Sequence, residues 1–203
     1  MGLLKRFRKR KQRLGKRTYS PAPNIPNRVG IEKRPPIVDS RSRLGDCEGD
    51  LIVGYPSSGY VLSIIDRKSR FIVLRKLKTK RKNTVRTQIE SALRQLGPTS
   101  TLTFDNGSEF SAHQELTKNT GIKVYFAHPY CSTERGAVEN ANGLVRYFLP
   151  KKTTFKNLSQ SQLNDIQLLL NQRPRKCLGY LTPQEIQLKN PPNPSPPSVA
   201  FDS

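Results

Sequence analysis

Apolar positions follow two different periods along the chain, and each change of period marks an element. The runs Glu48-Gly-Asp-Leu-Ile-Val-Gly54, Gly59-Tyr-Val-Leu-Ser-Ile-Ile-Asp66 and Ser69-Arg-Phe-Ile-Val-Leu-Arg-Lys-Leu77 are short, β-branched or aromatic, and bounded by turn residues, which is how strands read. Only a few residues connect them, too few for a parallel crossover, so they predict an antiparallel meander. From Lys82 to Leu96 the period lengthens: Val85, Ile89, Leu93 and Leu96 recur at helical spacing before Gly97-Pro98.

Thr101 to Asp105 then predicts a fourth strand, Ser111 to Asn119 a polar helix, and Ile122 to Ala127 a fifth strand. Thr133 to Phe148 sets Ala137, Ala141, Leu144, Val145 and Phe148 on one helical stripe ending at Pro150. A helix from a Ser159 cap to Asn171 buries Leu163, Ile166, Leu169 and Leu170. Thr182-Pro-Gln-Glu185 is a capping box with proline at the first helical position, which predicts a short helix to about Leu188. The order β-β-β-α-β-α-β-α describes one α/β domain over residues 45–190.

Composition adds two appendages and a partner. Residues 1–44 carry fourteen Lys and Arg against Glu32 and Asp39, with five prolines from Pro21 to Pro36; they read as a basic, largely disordered arm. From Pro191 onward, five prolines in eight positions give a disordered tail. Over the whole chain, 36 Lys and Arg face 15 Asp and Glu, a net charge of +21. Such an excess predicts attraction to a polyanion, nucleic acid by default, with Lys5, Arg6, Arg8, Lys9, Arg10, Lys11 and Arg13 as phosphate contacts of the arm. No run of eighteen apolar residues suggests a membrane span and no apolar leader follows Met1, so the expected location is cytoplasmic. Cys47, Cys131 and Cys177 are scattered without metal-ligand spacing and read as reduced packing residues.

Three carboxylates carry the candidate chemistry. Asp50 lies in an apolar strand, where a buried face would make it costly unless paired; the open alternative is the solvent face of an edge strand. Asp105 stands before Asn106-Gly107, a strong hairpin signal, yet the residues after Gly107 are helical in composition. That makes the stretch a strand-to-helix turn, and ligand sites in α/β sheets gather at the carboxyl ends of strands. Glu139 shares a polar helix face with Arg135, Asn142 and Arg146, read either as a solvated face or as a site. Asp66, Glu109, Glu134, His113 and His128 are read as turn, cap or isolated residues rather than ligands.

Taken together, Glu48-Gly-Asp-Leu-Ile-Val-Gly, Thr103-Phe-Asp-Asn-Gly-Ser-Glu-Phe, Tyr125-Phe-Ala-His-Pro-Tyr, Glu134-Arg-Gly-Ala-Val-Glu-Asn-Ala-Asn-Gly-Leu-Val-Arg and Asn171-Gln-Arg-Pro-Arg-Lys-Cys-Leu-Gly-Tyr resemble the catalytic half of the IS-thirty family of insertion-sequence transposases, over roughly residues 28–188. The resemblance implies an RNase H-like fold of the retroviral-integrase superfamily with a mixed five-stranded sheet. It also implies an Asp, Asp, Glu triad, here Asp50, Asp105 and Glu139, with the family's thirty-three residues between the last two. Those acids would hold two Mg²⁺ ions, with Mn²⁺ as a substitute, for cleavage and strand transfer of double-stranded DNA at transposon ends and target, by a homo-oligomer. Arg135, Asn142 and Arg146 would position DNA phosphate. Compared with the family, the chain begins after the helix-turn-helix region, Cys47 replaces an aromatic, and Cys-Ser-Thr precedes Glu134. Two alternatives stay open at this point: a non-catalytic DNA-binding remnant or regulator, and an RNase H-like nuclease that cuts without joining.

Overall fold

The computed structural model describes residues 25–129 and 131–189. The apolar runs form five strands, β1 (Asp46–Val53), β2 (Tyr60–Asp66), β3 (Ile72–Leu77), β4 (Thr101–Phe104) and β5 (Lys123–Phe126). They make one sheet in the order β3-β2-β1-β4-β5. β1, β2 and β3 form the antiparallel meander, while β4 runs parallel to β1 and β5 parallel to β4. β1 is therefore central, which removes the edge-strand reading of Asp50.

Helices α1 (Ile37–Ser40), α2 (Lys82–Leu96), α3 (His113–Thr120), α4 (Gly136–Phe148), α5 (Gln160–Asn171) and α6 (Pro183–Lys189) complete the domain. Because strand side chains alternate between faces, the sheet has two cores. Cys47, Leu62, Ile64, Leu102 and Phe104 pack with Val85, Ile89 and Leu93 of α2. On the other face, Ile52, Val61, Ile65 and Leu74 pack with Val138 and Val145 of α4 and with Leu163 and Leu170 of α5. Gly49, pointing into the first core, has no room for a side chain, because a Cβ would enter the van der Waals shell of the Phe104 ring.

Both outer strands are covered. Along β5, the Phe126 N–H donates to the Val29 carbonyl (2.9 Å). Along β3, amide side chains of α5 take the place of a sixth strand. Asn171 accepts from the Ile72 N–H and donates to its carbonyl, both at 2.9 Å. Gln167 accepts from the Leu74 N–H (2.9 Å), and Gln160 accepts from the Lys76 N–H (2.9 Å) and donates to the Leu74 carbonyl (3.0 Å). An edge strand left with unpaired backbone is a template for unwanted pairing, and this ladder fills it.

Three expectations change. The described part of the basic arm, residues 25–44, is folded: Ile25 and Val38 are buried, and Arg34 donates to Thr103 Oγ1 (3.1 Å) and pairs with Asp39. Its prolines interrupt periodicity without preventing burial. In α5, Gln167 and Asn171 are buried whereas Leu169 is exposed, since the strand edge selects amides over apolar side chains. In α4, Val138 takes the inward place and Phe148, at the helix end, is exposed. Lys5, Arg6, Arg8, Lys9, Arg10, Lys11 and Arg13 lie outside the described residues, as does the tail from Pro191.

Candidate active site

The register of β1 against β4 brings the first two acids together. Cys47 pairs with Leu102 and Glu48 with Thr103; carried on by two residues, the same register sets Asp50 beside Asp105 at the carboxyl end of β4. The turn after β4 then fixes Asp105. Its carboxylate accepts from the Gly107 N–H (3.1 Å), Asn106 Nδ2 donates to the Ala127 carbonyl (2.7 Å), and Arg28 donates to Asn106 Oδ1. A short helical turn, Ser108–Phe110, follows where a hairpin partner strand would otherwise begin.

Asp50 is held from two sides. Its Oδ1 accepts from the Leu51 N–H (2.9 Å) and its Oδ2 from Asn142 Nδ2 (2.8 Å). Asn142 is oriented in turn by the Ser63 hydroxyl, which donates to its Oδ1 (2.6 Å). Between the acids stands Arg135, with Nη1 3.7 Å from Asp50 and Nη2 3.9 Å from Asp105. Those separations are ion-pair contacts too long for hydrogen bonds, and Nη1 is buried with no hydrogen-bond partner. Burial, the largest cause, raises the Asp50 carboxyl above the usual carboxylate range; Arg135 opposes the shift, while the charges of Asp105 and Glu139 add to it.

Glu139 is exposed on the first turn of α4. Among the described residues no three His, Cys, Asp or Glu side chains are drawn close enough to hold a metal ion as they stand. Two acids thus lie side by side, and the third stands on the first turn of α4, near enough for its charge to reach Asp50. Of the other residues on that face, Asn142 and Arg135 bind the carboxylates, and Arg146 donates to the Val53 carbonyl (3.0 Å) at the end of β1.

Glu48, which the sequence reading passed over, connects strand to helix. Its side chain is 0 % exposed, its Oε2 accepts from the Val138 N–H (2.9 Å) in the first turn of α4, and its Oε1 lies 3.0 Å from Arg67 Nε. A carboxylate at a helix amino end satisfies an orphan donor and meets the positive end of the dipole. Position 48 lies two residues before Asp50, so the two point to one face, and a buried acid there requires partners. That alternation was the available signal.

Of the residues read as turn, cap or isolated, Asp66 and Glu109 sit in turns, whereas His128 is not isolated. Asp66 accepts from the N–H groups of Ser69 (2.7 Å) and Gly45 (2.7 Å); the side chain of Arg67, in the same turn, points to Glu48 and the Val38 carbonyl. His128 Nδ1 pairs with Glu134 Oε1 (2.8 Å), and Glu109 sits in the turn after Gly107.

A family model described as the integrase core domain matches residues 43–132. The transposase for insertion sequence element IS4351 of Bacteroides fragilis is 45% identical over 162 residues, 79% of this chain and 50% of that protein. Transposase InsI for insertion sequence element IS30C of Escherichia coli (strain K12) is 39% identical over 165 residues, 80% of this chain and 43% of its own length. The chain spans about half the length of these relatives. In fold it resembles the catalytic core domain of BIV integrase (TM-score 0.55, 24% identity, 72% of this chain and 95% of that one). A chain of a simian T-cell lymphotropic virus intasome in complex with PP2A regulatory subunit B56 gamma is also similar (TM-score 0.59, 20% identity, 77% and 59% covered). The chain is thus similar in sequence to insertion-sequence transposases over about half of their length, matches the integrase core domain over residues 43–132, and shares the fold of integrase catalytic cores, with Asp50 and Asp105 side by side on its sheet.

Proposed function

We propose that the chain is the catalytic half of a DNA transposase that cleaves phosphodiesters and transfers strands through Asp50, Asp105 and Glu139. The observation that carries this reading is the side-by-side placement of Asp50 and Asp105 beneath the helix bearing Glu139, with Arg135 as the only cation between them in the described site. Two neighbouring carboxylates repel, and a cation within a few ångströms of both relieves the repulsion. The donor set fits a hard divalent ion, because it is all oxygen and lacks His and Cys.

Integrase-family core domains generally use divalent metal ions. In this chain Asp50 and Asp105 would hold them, with Glu139 joining from α4. Bound Mg²⁺ or Mn²⁺ supplies Lewis acidity toward the attacking oxygen and the scissile phosphate. The chain's own groups do the rest. Asn142 fixes the rotamer of Asp50, the Gly107 N–H fixes that of Asp105, and Glu48 ties α4, and so Glu139, to the strand that carries Asp50. Arg135 is placed to meet a phosphate oxygen once its carboxylate partners are otherwise engaged. The reaction forms one O–P bond as the opposite one breaks, with a DNA 3′-oxygen leaving in the cleavage step and attacking in the joining step.

The test is metal-dependent nicking and joining of a labelled DNA duplex. Joined product that disappears in Asp105→Asn supports the assignment; undiminished joining in that variant overturns it. Cutting without joining would favour a nuclease, and salt-sensitive binding with neither reaction a DNA-binding remnant. Among the described residues no helix is long and apolar enough to cross a membrane.

A further inference from the structure

On the other flank of α4, away from Asp50 and Asp105, lies a cavity of ≈ 230 Å³ rimmed by Arg41, Arg70 and Arg175, with Gly136 and Asn140 of α4 on one side and Ile72 and Leu170 at its floor. Three guanidinium groups from three distant parts of the chain converge on it: the end of α1, the turn between β2 and β3, and the segment after α5. Among the described residues Arg41 and Arg70 have no side-chain hydrogen bond or ion pair, and Arg175 makes one bond, to the Leu170 carbonyl (2.9 Å), leaving its Nε buried without a partner. The carboxylate whose charge reaches Arg41 is Glu48, and Glu48 is already engaged by Arg67.

This convergence is unfavourable unless something neutralises it. Burial and the neighbouring charges of Arg70 and Arg67 lower the Arg41 guanidinium from its ordinary value, and burial and Arg173 do the same for Arg175. Two of the three arginines are also held in left-handed backbone, Arg41 at φ 53° and Arg70 at φ 61°. Side chains other than glycine's adopt that region at a cost, and such strain collects at functional sites. Guanidinium groups match phosphate geometry with paired N–H donors.

We propose that this arginine-rimmed cavity is a phosphate-binding site separate from the acidic one, taking a phosphate group that belongs either to a nucleic-acid strand or to free phosphate. The proposal rests on the transposase reading only for the first of those sources. A strand phosphate seated here would fix the far side of α4 while the near side faces Asp50 and Asp105, so one helix would be gripped between two contacts with nucleic acid.

The test uses the whole chain in EDTA, so that no cleavage occurs. Inorganic phosphate is titrated against the arginine Nε–Hε resonances in ¹H–¹⁵N spectra, and a fluorescent DNA duplex is titrated across a salt series. The variants are Arg41→Gln with Arg70→Gln, and separately Asn140→Glu, which sets a carboxylate on an exposed helix position facing the cavity. The expected result is a phosphate-dependent shift of the Arg175 Nε–Hε signal, lost in both variants, with the salt slope of duplex binding falling by about one unit as one phosphate contact disappears. If the signal shifts and the slope does not change, the site stands with free phosphate as its source. No shift in the wild-type chain and an unchanged slope in both variants overturns the proposal. Nicking by the wild-type chain with Mg²⁺, measured in parallel, decides the transposase reading separately.

Discussion

Replacing Glu48 by Gln isolates the buried charge that β1 sets between Arg67 and the first turn of α4. The amide has the size of the carboxylate and can still accept from the Val138 N–H, so packing is kept and charge alone is removed. What is lost is the partner of Arg67, a residue only 5% exposed and otherwise bonded to the Val38 carbonyl (2.6 Å) and paired with Asp39, 3.5 Å away and itself exposed. Breaking a buried pair by removing one member costs about 3–5 kcal/mol, because the other charge is stranded. The surviving contacts of Arg67 place this case near the lower end, about 3 kcal/mol. The helix loses a further contribution, of about 0.3–1 kcal/mol, when a carboxylate leaves its first turn. Urea unfolding should show a lower midpoint at unchanged m-value. Converting Arg67 to Met in the same chain removes the stranded charge and should recover part of the loss, giving a coupling of about 1 kcal/mol or more in the double-mutant cycle. A loss below about 1 kcal/mol for Glu48→Gln, or purely additive effects, would refute the claim that a buried charged pair joins β1 to Arg67 in the turn after β2. Strand transfer at a temperature where the variant is folded should also fall, since the helix bearing Glu139 is less firmly placed.

Asn171→Ala should destabilise the domain by about 1–3 kcal/mol for each of the two Ile72 backbone groups left unpaired, and faster amide exchange at Ile72 would locate the damage; protection equal to wild type would contradict the ladder. Gly49→Ala forces the Phe104 ring, stacked on Phe110 at 4.0 Å, out of place, at about 1–3 kcal/mol, read as a lower thermal midpoint together with weaker metal-dependent nicking, because Phe104 immediately precedes Asp105. The Glu134 hydrogen bond, the largest cause, raises the His128 imidazole above its ordinary 6.5. The folded state therefore holds that proton more tightly, and the contribution is full below pH 6.5 and lost as pH rises through the raised value. An NMR titration of His128 should show the upward shift, and Glu134→Gln should bring it back toward 6.5; a midpoint that does not respond to Glu134 would exclude the pairing.

The elements were legible because their periods are clean. Val85, Ile89, Leu93 and Leu96 marked α2 with its observed bounds, and Ser159 caps α5 in a box with Gln162. Asp105 could be read as a site residue because the chain after Gly107 changes composition. Polar residues buried for structural reasons were not legible. Glu48, Gln167 and Asn171 look like surface residues in a hydropathy pattern, and only the neighbours that the fold supplies, a helix end or a strand edge, make them inward-facing. The same holds for residues 25–44, whose prolines hide a segment that buries Ile25 and Val38.

The amide ladder on β3 also has a consequence in time. Ile72 waits for a partner ninety-nine residues later in the chain, and ribosomes add about 5–20 residues per second. The strand therefore emerges roughly 5–20 seconds before Asn171 exists to cover it, and in that interval its backbone is open to any other extended chain. Nascent copies made close together on one message are the strands it would meet first. Slowing translation between β3 and α5 should lower the yield of soluble protein even though the finished fold is unchanged.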